Sequence, residues 1–407
     1  MTKANPCKRI TMRRGKHLSN RTRVAIIGAS YLQLPLIERA KKEGFETHVF
    51  AWKKEDVGEK AADYFYPISI TEKEAILEKC REIGISGICS IASDLATITV
   101  NYVANEMGLI GNSMRCTKMS TNKHLMRKAF ENNKLPSPWS ILVSADTLLS
   151  GLPITYPVIV KPTDRSGSRG VFLVEDKSRF ELCVKSAIEF SFEKKALIES
   201  YICGREYSIE CISFHGKHQF LAATRKYTTG APRFIETGQY EPADLNEEKL
   251  NEIIELVYSA LDALEITNGA SHSEIIIDND GKVWIVEIGA RMGGDLIGSH
   301  LVRESTGIDM VKAVLDVCLD NEPCLREGKE KKAAGVRYVF DDDSLAQFMD
   351  IHDKHPEILV CFDIPETVSG DISDSSQRPG YFLISDFDDK IIERYMPPLV
   401  MNEFRGN

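Results

Sequence analysis

The sequence has no unbroken apolar tract long enough to span a bilayer, so no membrane helix and no membrane partner are expected. It also has no C-x-x-C pair. Ten cysteines are scattered without zinc-type spacing and read as reduced thiols of a cytoplasmic protein rather than a disulfide framework. Neither common nucleotide signature is complete. No G-x-x-x-x-G-K-[ST] phosphate loop occurs, and Gly28-Ala29-Ser30-Tyr31-Leu32 lacks the later glycines of G-x-G-x-x-G. Ala51-Trp52 stands where an acidic residue would hold a ribose after the second strand, so a nicotinamide-binding domain is disfavoured. Positive charge is scarce as well. A net charge of −9 removes the general electrostatic reason to bind nucleic acid. The exception is residues 1–23, with eight Lys and Arg and no acid; 1–22 read as a basic, disordered arm without the apolar core of a secretory signal.

What is present is a 407-residue chain of ordinary globular composition, 43% apolar and 27% charged, long enough for two or three cores. Over roughly 22–112, strands at 23–28, "ETHVFAW" and "ISGICSIAS" alternate with helices "LPLIERAKKEG", "TEKEAILEKCREIG" and "TITVNYVANEMG". That βαβαβα order predicts a parallel, doubly wound sheet. "LPSPWS" at 135–140 breaks the chain after a short helix at 122–132, and beyond it the texture turns strand-rich. Helices return at 246–264 and 304–319, and residues 333–400 read as an acidic α+β tail. No internal repeat is apparent.

Three stretches carry candidate chemistry. In "YPVIVKPTDRSGSRGVFLVE", Lys161 ends a buried strand, and the loop 163–170 offers hydroxyls, arginines and glycines that let backbone N–H groups approach phosphate oxygens. Alone, this loop fits a flexible surface hairpin equally well. In "LIESYICGREYSIE", Glu206, Ser208 and Glu210 alternate onto one face and Tyr207, Ile209 and Cys211 onto the other. A solvated acidic face is the plain alternative. In "SEIIIDNDGKVWIVEIGARMGGD", Asp280-Gly281 between apolar runs signals a hairpin. A two-residue turn there pairs Glu274 with Glu287, Cβ atoms roughly 4.5–5.5 Å apart. An odd-length loop shifts that register. Strict alternation puts Val283 and Ile285 on the face of Glu287, and His272 on that of Glu274. Like charges placed opposite each other destabilise a sheet; two hard carboxylates at one spot suit Mg²⁺, which binds one or two carboxylates plus substrate phosphates. Arg291, beside Gly293-Gly294, is a cation on a flexible loop fit to face an anion.

With the parts in this order, the chain resembles an ATP-grasp carboxylate–amine ligase over roughly 24–400. The resemblance implies an α/β and α+β chain: a Rossmann-like pre-ATP-grasp domain (23–115), two ATP-grasp lobes (116–325, divided into 116–198 and 199–325), and a C-terminal α+β extension (326–407). "TNKHLMRKAF" resembles the family's Asp-Lys-x-x-Met-Arg helix, making Lys123 a phosphate-binding lysine, with Asn122 where an acid is usual. Lys161 matches the "V-K-P" lysine, and Ser166, Gly167, Ser168 and Gly170 match the mobile phosphate loop. Glu199, Tyr201 and Ile202 resemble the hinge whose backbone pairs with adenine, and Glu206 the acid on the ribose. Glu274 and Glu287 match the magnesium ligands, with Mn²⁺ as a substitute; where many members carry a further Asn ligand, this chain has Gly289. "EIGARMGGD" is similar to the branch of bacterial L-amino-acid ligases that make dipeptides, in which Arg291 faces the substrate carboxylate or acyl phosphate. "TRKYTTGAPRFIETGQYEPADL" resembles that branch's substrate segment, which implicates Arg225, Lys226 and Glu236 beside His272, Gly293 and Gly294. The implied cofactors are ATP and Mg²⁺, the partners a small carboxylate and an amine, and the assembly a homodimer. A bicarbonate-activating relative and a nucleotide-binding protein without turnover remain the alternatives.

Overall fold

Short β-branched and aromatic runs supply the first sheet: β1 (Arg23–Ile27), β2 (Glu46–Phe50), β3 (Tyr64–Tyr66) and β4 (Gly87–Cys89). All its pairings are parallel and its order is β3-β2-β1-β4, with β3 an edge strand too short for its alternation to register in sequence. Successive β1 side chains feed opposite cores. Val24 and Ile26 pack with helices Leu34–Lys42 and Met310–Cys318, whereas Ala25 and Ile27 pack with Lys73–Ile83 and Asp94–Met107. Both faces are covered, as a parallel sheet requires. The computed structural model describes residues 21–399 except 232, 329–330, 369–371 and 373; all but the last two residues of the basic arm lie outside the described residues. Among the described residues no helix is long and apolar enough to cross a membrane, and the nine cysteines form no disulfide.

The second sheet is antiparallel, β5 (Ser140–Ser144), β8 (Lys195–Ser200), β6 (Val158–Pro162) and β7 (Phe172–Val174) in that spatial order, with helix Phe180–Phe190 packed on it. The third has eight antiparallel strands: β9 (Gly204–Phe214), β10 (Lys217–Thr228), β11 (Glu236–Glu241), β12 (Gly269–Asp278), β13 (Val283–Gly289), β14 (Ala333–Val339), β15 (Leu359–Asp363) and β16 (Gly380–Asp386). Their order is β13-β12-β9-β10-β11-β14-β16-β15, so the strands of 326–407 continue the sheet begun by β9 rather than forming one of their own. Helix Lys123–Asn132 braces its inner face through Met126, Ala129 and Phe130. Asn122 caps that helix, its side-chain oxygen accepting from the His124 and Leu125 N–H groups at 3.1 Å each. Asparagine caps a helix as well as an acid does, which accounts for its standing in an acid's place.

The hairpin differs from expectation in a way that preserves its outcome. Asp278 pairs with Lys282, leaving a three-residue loop in which Gly281 takes φ +81°. Ile277 therefore lies opposite Val283 and Ile275 opposite Ile285, one position off the two-residue register. A bulge at Val286 then restores the pairing of Glu274 with Glu287. Neighbouring groups satisfy the backbone freed there. Arg127 Nη2 donates to the Val286 carbonyl at 2.5 Å, and the Ile285 N–H donates to the Pro136 carbonyl at 2.9 Å. The bulge also corrects the expected facing: Val283 and Ile285 are buried in the core with Ile275, opposite the face that carries Glu287.

Candidate active site

The second and third sheets close on a cleft whose walls come from both. Its apolar end is formed by Ile159, Val171, Ile202, Ile276, Val286 and Phe234, a slot fit for a flat heterocycle between two sheets. Ser200, Tyr201 and Ile202, the connection between β8 and β9, line its edge. Ser166, Gly167 and Ser168 cover it from the β6–β7 loop, and Ser168 Oγ donates to the Phe234 carbonyl across the opening (3.1 Å). Gly170 is the exception in that loop. It packs against the Phe190 ring, outside the cleft.

The polar end is a lattice of alternating charges. Lys123 Nζ lies 2.8 Å from Glu287 Oε1 and donates to the Arg165 carbonyl at 2.7 Å, tying the helix start to the β6–β7 loop. Lys226 Nζ lies 2.8 Å from Glu274 Oε1 and 3.9 Å from both Glu206 and Glu236. Burial works against its charge, but the three carboxylates outweigh that and raise its pKa. Burial likewise opposes ionisation of Glu274, yet Lys226 and His272 hold it well below the usual carboxylate range. Glu206 is raised because its desolvation dominates. Lys161 Nζ meets Glu199 Oε2 at 2.7 Å, and Arg127 Nε meets the other oxygen at 2.8 Å. Burial lowers the Lys161 pKa against the pull of Glu199. The Glu199 side chain thus holds Lys161 and Arg127.

Beside this lattice lies a chamber bounded by the loop 291–297, the turn after β1, and the C-terminal strands. Arg291 enters it paired with Asp94, Nε to Oδ1 at 2.8 Å and Nη2 to Oδ2 at 3.1 Å. A side chain at residue 289 would come within 2.9 Å of Asp94 Oδ1 and 3.1 Å of Arg291 Cζ, so this ion pair occupies the space an Asn would need. His272 Nδ1 bonds Glu210 Oε1, and its Nε2 lies 3.5 Å from Glu274. Burial disfavours the imidazolium, but Glu210 overcomes it and raises the His272 pKa to about 9. The Gly293 N–H donates to the other Glu210 oxygen at 3.1 Å, and Gly294 lines the chamber.

One expected substrate residue is displaced. Arg225 lies on the opposite face of β10, paired with Asp244 at 3.2 Å and Glu393 at 3.3 Å and packed over the Tyr227 and Tyr240 rings. Adjacent residues of a strand point to opposite faces, so Lys226 and Arg225 do not both reach the cleft. Residues that sequence reasoning left out also line the chamber, Asp94 and Arg378 among them. Asp94 carried no signal beyond its place in a helix's first turn. Arg378 sits over the Tyr338 ring (3.6 Å) and pairs with Asp295 at 2.6 and 3.1 Å.

The donor set fits a hard divalent cation. Two carboxylates meet across β12 and β13, and the raised His272 is engaged by Glu210. Among the described residues no group of three or more His, Cys, Asp or Glu could hold a metal alone. The remaining ligands would be phosphate and water oxygens, the usual arrangement for Mg²⁺.

Residues 154–299 match the ATP-grasp domain family. The chain is 25% identical over 359 residues to alanine–anticapsin ligase of Bacillus subtilis, covering 78% of this chain and 75% of that one. It is 24% identical over 278 residues to the carbamoyl phosphate synthase large chain of Caldanaerobacter subterraneus subsp. tengcongensis, covering 67% of this chain but only 24% of that protein's length. The solved L-amino acid ligase from Bacillus licheniformis superposes with a TM-score of 0.80, with 23% identity over 93% of this chain and 97% of that one.

Proposed function

We propose that the chain is an ATP-dependent ligase joining a carboxylate to an amine through an acyl phosphate, a reading supported by the match of residues 154–299 to the ATP-grasp domain family. The single observation that carries the proposal is the meeting of Glu274 and Glu287, each bound to a lysine, at the polar end of a cleft with an apolar slot. A carboxylate is a poor electrophile toward amines; phosphorylated by ATP, it gains a good leaving group. Phosphoryl transfer asks mainly for positioning and charge neutralisation. Lys123 and Lys161 neutralise the nucleotide phosphates, and Ser166–Ser168 close over them and exclude water. Glu274 and Glu287 would hold Mg²⁺, which would supply positive charge to neutralise the phosphates of the nucleotide. Arg291, already oriented by Asp94, faces the charge developing on the carboxylate. The amine, that of an amino acid, then attacks the acyl carbon, and phosphate leaves with one oxygen of the original carboxylate.

That last atom is the test. Wild-type enzyme is screened for ADP release over pairs of amino acids, and the productive carboxylate is then supplied labelled with oxygen-18. One labelled oxygen should appear in the phosphate released; unlabelled phosphate contradicts the acyl phosphate route. The similarity to carbamoyl phosphate synthase supports a second reading, activation of bicarbonate. Bicarbonate-dependent ADP release without any amino acid would favour it.

A further inference from the structure

The chamber beside Arg291 has a volume of about 400 Å³ and adjoins a second space. That space, about 570 Å³, lies at the carboxyl ends of β1, β2 and β4. Leu32 and Ala92 line both. Ala92 is also tied to the Arg291 loop, its N–H donating to the Met292 carbonyl at 3.2 Å, and a Cβ at Gly294 would lie 3.7 Å from its own. The sheet order β3-β2-β1-β4 turns about β1, so the crevice stands where connections leave in opposite directions, the place where open parallel sheets receive ligands.

This crevice is not shaped for a dinucleotide. The Gln33 side chain lies over Gly28, where a Cβ would come within 2.9 Å of it. It is held there by donation from Nε2 to the Ile91 carbonyl at 2.8 Å and by acceptance from Ser30 Oγ at 2.7 Å. A pyrophosphate would need that position. What the crevice does present is Trp52, 62% exposed, with Leu95, 38% exposed, and the hydroxyls of Ser69 and Thr71 on its walls. Trp52 and Leu95, exposed in one crevice that shares walls with a candidate reaction chamber, form an apolar surface for a ligand.

From these shared walls and the exposed ring we infer that the crevice is a subsite for the distal part of an extended amine substrate, of dipeptide length, whose aromatic or apolar end rests on Trp52. The inference rests on the ligase reading and narrows it: the preferred amine is longer than a single small amino acid, and Leu32 and Ala92 flank the passage.

The full chain is labelled with 5-fluorotryptophan, and the Trp52 resonance is assigned by its loss in Trp52→Phe. L-Alanyl-L-phenylalanine should shift that resonance saturably, while L-alanine should leave it in place. In turnover, Trp52→Ala should lower kcat/KM for the dipeptide tenfold or more relative to L-alanine. A Trp52 resonance unmoved by the dipeptide, or a variant with unaltered preference between the two amines, overturns the subsite. A shifted resonance without ADP release from any pair keeps the subsite and removes the ligase reading. ADP release with a silent Trp52 does the reverse.

Discussion

Lys161 and Glu199 are 5% and 2% exposed and depend on each other and on Arg127 for their charged states. Removing the carboxylate leaves two buried cations side by side, a loss that typically costs about 3–5 kcal/mol. Glu199→Ala should therefore lower the urea midpoint markedly; an unchanged midpoint would mean the pair contributes nothing to the fold. Lys161→Ala leaves Glu199 its arginine, so its effect should fall on ATP affinity or the rate of phosphoryl transfer. If both are unaffected, the assignment of Lys161 to the nucleotide is wrong. Lys161 was legible because it ends an apolar strand beside a proline. The duty of Glu199 was not, since its partner Arg127 arrives from a helix remote in sequence and no local pattern signals the meeting. Arg225 and Lys226 illustrate the same limit: two neighbouring cations look equivalent until the strand's facing is known, and only one reaches the cleft.

The hairpin β12–β13 sets the spacing of the two candidate metal ligands through a loop and a bulge that cancel. Gly281 holds φ +81°, a backbone conformation that costs an L-residue about 1–2 kcal/mol. Gly281→Ala should lower the thermal midpoint, and because the loop sets the register it should also reduce any activity that needs Glu287. A variant with wild-type midpoint and turnover would show that the register is fixed elsewhere. The Asp-Gly signal located this hairpin correctly but with a turn one residue too short. The bulge was invisible in sequence because its backbone is satisfied by Arg127 and Pro136. The pairing of Glu274 with Glu287 was therefore right, while the facing assigned to Val283 and Ile285 was reversed. At this scale the doubly wound start was also legible, from alternating periods over 22–112; the joining of the last strands to the β9 sheet was not, because it rests on the remote pairing of β11 with β14.

Across the whole molecule, one buried carboxyl group should contribute a loss of stability with rising pH, that of Glu241. Burial pushes its pKa up to about 8, although Thr224 and Ser305 each donate a hydrogen bond to it at 2.7 Å. The unfolded chain releases that proton near the ordinary carboxylate value of about 4.3. The folded state binds it more tightly, so the contribution is complete below that value and is lost as pH climbs through about 8. Glu241→Gln should narrow the difference in thermal midpoint between pH 5 and pH 9; an unaltered difference would assign the dependence to other groups. Mg²⁺ with ATP should raise the midpoint at any pH in that range, as linkage requires of a ligand bound by the native state. The account as a whole turns on the paired carboxylates, and Mg²⁺-dependent ADP release by Glu287→Gln, driven by a productive carboxylate and amine, tests them most directly. Near-complete loss of release in a protein that melts like the wild type is the predicted result; turnover equal to the wild type would contradict it.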